Sequence, residues 1–128
     1  MILSNILFDY VVKLIKGEYQ MTQVNANEIL EVIEKATVKM NKYLVEVGED
    51  YYCGFAWVNI KVERTNSAQA KELIKAGFGK CYLPRTMQFW CAPGYHGQSM
   101  SVKEEFAGEM AKLLREKGLD AYAGSRAD

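Results

Sequence analysis

Between Tyr51 and Val62 the hydrophobic period is two, and its two phases differ in kind. One phase, Tyr52, Gly54, Ala56, Val58, Ile60 and Val62, is mostly small or aliphatic; the other presents Cys53, Phe55, Trp57, Asn59 and Lys61. Successive side chains of a strand point to opposite faces, so this segment commits the chain to a sheet with an aliphatic side and an aromatic side. Helices pack closely only on the first. The second is left with large rings, which are costly to leave in water: burying a side chain the size of Phe contributes roughly 1.5–3 kcal/mol.

The rest of the chain supplies the elements around that strand. Thr65, Asn66 and Ser67 offer N-cap chemistry for a short helix carrying Ala70, Leu73 and Ile74 and ending at Gly77. Lys80 to Leu83 and Thr86 to Ala92 read as two strands around the turn residues Pro84 and Arg85. Ser101 and Glu104 have the spacing of a capping box and open a helix with Phe106, Met110, Leu113 and Leu114, stopped at Gly118. Leu119, Ala121 and Ala123 then alternate in a last strand. The order from residue 51 is β-α-β-β-α-β, which fits a ferredoxin-like α+β domain with both helices on one sheet face.

Upstream the period is helical. Ile2, Leu3, Ile6, Leu7, Tyr10, Val11, Leu14 and Ile15 recur at three- and four-residue steps, predicting a helix over residues 2–16 that ends near Gly17. Ile29, Ile33, Ala36, Met40, Tyr43 and Val47 form a heptad seam on a second helix, from about 26 to 47, with Asn25 and Glu28 spaced as a capping box and Gly48 closing it. The two are expected to form an αα-hairpin, although Met21 is an alternative start that would make the first helix an addition. Residues 1–50 are thus a helical extension and residues 51–128 the βαββαβ sheet domain. At 128 residues the two form one compact domain.

Composition narrows the class of function. Sixteen basic and sixteen acidic side chains cancel, which argues against a protein held to nucleic acid mainly by phosphate neutralisation. Charge is unevenly spread: residues 21–50 carry a net −3 and residues 51–100 a net +4. Cys53, Cys81 and Cys91 are odd in number and lack CxxC spacing, as in a reduced cytoplasmic protein. The N-terminal apolar stretch has no preceding basic segment and contains Asp9, so no secretory signal is expected, and no stretch approaches the ~20 apolar residues of a membrane span.

Three residue groups are candidates for binding. Phe55, Trp57, Trp90 and Tyr122 are expected on the sheet face away from its helices, where they suit an interface or stacked bases; the apolar seams of the N-terminal helices favour burial of these rings beneath them, or pairing with another subunit. Arg64, Asn66, Ser67, Lys71 and Arg85 are expected at one end of the sheet, around a helix N-terminus that favours an anion or a nucleotide. His96, Gln98, Ser99, Ser125 and Arg126 are expected at the other end. Ser99 and Ser101 there are best explained by helix capping; with no GxSxG elbow and Asp128 the terminal residue, no catalytic residue is assigned. Cys91 and His96 have C-x4-H spacing without a dependable fourth ligand, and no Walker loop, GxGxxG or HExxH occurs, so neither a metal nor a cofactor is expected.

Gly54 to Val58 in a GFAWV run, Gly97-Gln98-Ser99 before the last helix, and the ending Ala121-Tyr122-Ala123-Gly124-Ser125-Arg126-Ala127-Asp128 carry a resemblance to a family of small bacteriophage- and prophage-encoded proteins with no established reaction. It covers the chain from about residue 52 onward. What the resemblance implies is a setting in the cytoplasm of a bacterial host cell and action on the surface of a host or viral protein. Together these readings give a non-enzymatic binding module acting through protein contact, with possible self-association and no membrane partner. The alternatives are a small-molecule or nucleotide binder at the helix N-terminus and, less expected in a neutral chain, a single-stranded nucleic-acid binder on the aromatic face.

Overall fold

The computed structural model describes residues 23–90 and 92–128. Its elements are α1 (Ala26–Glu46), β1 (Gly54–Lys61), α2 (Ala68–Lys75), β2 (Gly79–Lys80), β3 (Thr86–Phe89), α3 (Met100–Glu116) and β4 (Asp120–Ala127), a mixed α+β architecture. The expected helix over residues 2–16, its hairpin with α1, and Cys91 lie outside the described residues. The four strands form one antiparallel sheet in the order β2-β3-β1-β4. Among the described residues no helix is long and apolar enough to cross a membrane.

The pleat of β1 sorts the core. Ala56, Val58 and Ile60 are buried on one side and join Met87, Phe89 and Ala121 of the flanking strands. Against them pack Ala70 and Leu73 of α2 and Val102, Phe106, Met110 and Leu114 of α3. Phe89 ties strand to helix, its ring 5.3 Å from Phe78 and 6.1 Å from Phe106. α2 begins where expected: Ser67 is its N-cap and its hydroxyl accepts the Ala70 N–H at 3.2 Å. The β2–β3 hairpin is shorter than its sequence predicts. Only Gly79 and Lys80 pair with β3, and the polypeptide from Cys81 onward leaves the ladder for a turn in which Arg85 adopts the left-handed region at φ 51°.

Of the two N-terminal helices expected either to cover the aromatic rings or to pair with another subunit, α1 does not cover them. Its stripe of Ile29, Val32, Ile33, Ala36 and Met40 is buried in the same core as β1, and it packs on α3 and α2, on the helical side of the sheet. The start of the helix is clamped to α2 by side chains the heptad reading overlooked. Gln69 brackets Val24, accepting its N–H at 2.9 Å and donating to its carbonyl at 2.8 Å, and Glu72 accepts the Ala26 N–H at 3.0 Å. The Asn25 side chain accepts the Glu28 N–H at 2.9 Å, completing the N-terminus. Further along, Lys39 bridges to Glu109 at 2.7 Å and Glu105 at 3.5 Å on α3, and the Glu109 hydrogen bond holds the Lys39 ammonium above its usual range. Val47, the last seam residue expected, lies beyond the helix and is exposed.

Because α1 belongs to the common core, truncating its seam destabilises the domain as a unit. Met40→Ala is expected to lower the unfolding free energy by about 2–5 kcal/mol in a urea titration. Lys39→Ala, at a half-exposed ion pair, is expected to cost less than about 1 kcal/mol.

Candidate binding face

Residues directly opposite in a ladder share a face, so the strand register arranges the side of the sheet away from the helices into rows. Arg126 stands beside Phe55, Gly124 beside Trp57, Gln88 and Tyr122 on either side of Asn59, and Thr86 and Asp120 on either side of Lys61. Trp90, next after β3, alternates onto the same face. Its ring lies 5.1 Å from Trp57 and 5.9 Å from Phe55, the latter edge-on. Phe55 and Trp57 are half-buried, while Trp90 is 47% exposed and Tyr122 37%. The four rings chosen from the sequence thus share one face, and no described element covers it.

Two contacts fix how the rings stand. Trp57 leans over Gly124: a Cβ placed there would lie 2.6 Å from the indole Nε1, so only glycine admits the ring in this pose. Trp90 donates its indole N–H to the Gln88 side-chain oxygen, and Gln88 donates to the Asn59 side-chain oxygen at 2.9 Å. Asn59 is almost fully buried in the middle of the face, and this chain satisfies it there. The sequence offered a trace of it in the amide residues at alternating positions beside the tryptophans.

Lys103 was missed by sequence reasoning because it lies on α3, one turn beyond Ser99. The ammonium reaches back to the sheet, donates to the Gly54 carbonyl at 2.8 Å, and sits 5.3 Å from the centre of the Phe55 ring. It also lines a cavity of about 350 Å³ beside the rings, whose other walls include Phe55, Trp90, Pro93, Tyr95 and His96. Through His96 the second polar group reaches this cavity, and through Arg126, opposite Phe55, it reaches the aromatic face.

The remainder of that second group is dispersed. The Cys53–Gly54 segment runs between its two halves: Gly54 donates its N–H to the Gln98 carbonyl at 3.2 Å on one side, and Asp128 donates to the Cys53 carbonyl at 2.9 Å on the other. Ser125 donates to Glu104 at 2.6 Å, and Arg126 stands on the aromatic face. α3 opens at Met100, which puts Ser101 inside the helix and corrects the expected Ser101–Glu104 capping box; Ser99 occupies the N-cap position, but its hydroxyl makes no capping bond there either. It donates instead to Asp50 at 2.5 Å and accepts the Asp50 N–H at 3.1 Å, while the Tyr95 hydroxyl accepts the Ser99 N–H at 3.0 Å. Gly97 completes the turn, with the Tyr95 ring where a Cβ would be.

In the first polar group, Ser67 donates its N–H to the Arg64 carbonyl at 3.0 Å, and the Arg85 carbonyl accepts the Val62 N–H at 2.9 Å. A cavity of about 350 Å³ opens at the start of α2, and of Arg64, Asn66, Ser67, Lys71 and Arg85 only Ser67 lines it. Glu63 and Asp120 line it too, with Lys61 as its one cation among the described residues, a balance unfavourable to an anion. Among the described residues no group of three or more His, Cys, Asp or Glu side chains is placed to hold a metal ion, and the free thiols are Cys53, which is exposed, and Cys81, which is partly so.

Two outcomes follow from these contacts. Gly124→Ala is expected to push the Trp57 indole off the sheet and shift tryptophan emission to longer wavelength, with far-UV circular dichroism unchanged. The Ser99 hydroxyl, followed by that of Ser101, holds the Asp50 carboxyl below its usual range. A carboxyl with a depressed folded-state pKa stabilises above its unfolded value of about 3.9 and loses that contribution as pH falls through the folded value. The urea midpoint is therefore expected to fall through this acid range in the wild-type chain, and less steeply in Asp50→Asn. Comparison with protein-family models, with curated proteins and with solved structures finds no match, and the chemistry of the aromatic face carries the functional reading.

Proposed function

We propose that this chain is a non-enzymatic binding module of bacteriophage or prophage type that acts through protein–protein contact at the aromatic face of a ferredoxin-like sheet. The observation that carries the reading is Trp90. A large ring 47% exposed, braced edge-on by Phe55 and hydrogen-bonded through Gln88, is a poor contributor to the fold of one subunit and a good anchor for another surface. The adjoining cavity, walled by Phe55, Pro93, Tyr95 and Lys103, has room for an apolar or aromatic side chain, with a cation at its rim for a neighbouring carboxylate. The partner is a host or viral protein in the bacterial cytoplasm, and the mechanism is stoichiometric occupation of its surface.

A second reading, single-stranded nucleic acid, is favoured by Lys61, Lys103 and Arg126 around the rings. The neutral chain and the acidic Asp120 in the same outer rows weigh against it. One variant separates the two. Trp90→Ala is expected to weaken a bacterial protein partner retained by the wild-type chain by 2 kcal/mol or more, roughly 30-fold in Kd. A labelled oligonucleotide titrated at low salt is expected to show no binding. Saturable oligonucleotide binding lost in Trp90→Ala would move the assignment to nucleic acid.

A further inference from the structure

β4 is a sheet edge: β1 pairs with one side of it, and no described strand pairs with the other. The direction of its backbone groups is fixed by the Asp128 N–H, which points to β1. Even-numbered residues of β4 therefore use their backbone inwardly, and Ala121, Ala123, Ser125 and Ala127 turn theirs outward. Edge strands of this length are normally blunted by a proline, a bulge or a row of charges. β4 has no proline and is paired with β1 from end to end, and its charges stand only near its ends, at Asp120 and Arg126.

We propose that β4 is a self-recognition edge, and that a second copy of this chain adds to it as an antiparallel strand about a two-fold axis at Ala123. Two registers bring outward backbone groups together over nearly the whole strand. Pairing about Gly124 sets Asp120 against Asp128 of the second copy, a like-charge contact. Pairing about Ala123 sets Asp120 against Arg126 of the second copy, twice by symmetry. The same register complements shape. Tyr122 falls opposite Gly124 of the second copy, beside the Trp57 ring that already leans over that glycine.

The helical side agrees independently. Glu104 is bonded to Ser125 at 2.6 Å and Arg115 to the Ala121 carbonyl at 3.0 Å. Pairing about Ala123 puts Ser125 opposite Ala121 of the second copy, so Glu104 of one chain and Arg115 of the other flank the same residue pair. Ala123 meets itself on the axis, small enough for the strands to close. Arg115 takes one lone pair of the Ala121 carbonyl and leaves the other for the ladder. The product is a continuous eight-stranded sheet whose two aromatic faces lie on the same side, with the β1 strands three strand spacings, about 14 Å, apart. This pairing does not depend on what the aromatic face binds.

The test is sedimentation velocity on the full chain from about 1 μM to about 1 mM, the range of weak standard-size interfaces. A concentration-dependent dimer is expected. Asp120→Arg or Arg126→Asp alone is expected to weaken it at least tenfold, and the two together to restore it. Ala123→Pro, which removes an outward N–H and no bond to β1, is expected to leave a monomer with unchanged circular dichroism. Should Ala123→Pro disturb the fold, the charge exchange decides on its own. A monomer at every concentration, a dimer insensitive to both the charge exchange and Ala123→Pro, or a dimer lost only in Trp90→Ala would each overturn the proposal, the last placing self-contact on the rings instead. Loss of the bacterial partner in Trp90→Ala with the dimer intact leaves both sites standing, since they are separately mutable.

Discussion

The pleat of β1 is the constraint on which the rest of the molecule is built. Ala56, Val58 and Ile60 are thin enough for two helices to lie close over the sheet, and Phe55, Trp57 and Asn59 are turned the other way by the same alternation. A strand in the centre of a sheet cannot place its rings among the helices without moving its aliphatic residues out of the core. One slip of register would expose Val58 and Ile60 and bury Asn59 beneath α3. The difference between the two sides is therefore a property of the covalent sequence, enforced by hydrogen bonding to β3 and β4 together.

The helical side takes nearly all the packing. α3 lies on β1 and β4, and α1 lies against α3 and α2, so its apolar seam is spent on helix–helix contact. This disposition follows from the side chains at the helix starts: the Gln69 bracket on Val24 and the Glu72 bond to Ala26 anchor α1 beside α2, and Lys39 holds its middle to α3. These bonds are worth little individually in solvent, but they select which apolar surface α1 meets. On the sheet's other side, among the described residues, the rings are supported by indole against indole, indole against a glycine backbone, amide to amide, and the Lys103 ammonium over Phe55.

Much of this was legible in the residues. Periods of two and of 3.6, together with Asn25, Ser67 and the glycines after each helix, mark α1, β1, α2 and α3, because these signals are local and strong. The four aromatic positions were legible for the same reason. The paths of α1 and of the polar groups were not. Nothing in a heptad seam says whether Ile29 and Met40 meet a sheet or another helix, and Ser99, read as a cap, instead donates to Asp50, 49 residues away in sequence. Lys103 carries no aromatic or strand signature at all; it belongs to the face only because α3 starts where β1 starts. The short β2–β3 hairpin fell short of its apolar run because Pro84 and the left-handed Arg85 turn the chain before pairing extends.

The amide chain from Trp90 through Gln88 to Asn59 has a further consequence for any occupant. Swinging the indole away would give up its bond to Gln88, the amide that satisfies the buried Asn59, so the ring is held in one pose before anything arrives. A plate set in advance surrenders little rotational freedom when it is covered, and it selects for flat, complementary outlines over pliant ones. Discrimination among visitors then resides in their contour, and it is built into the resting molecule.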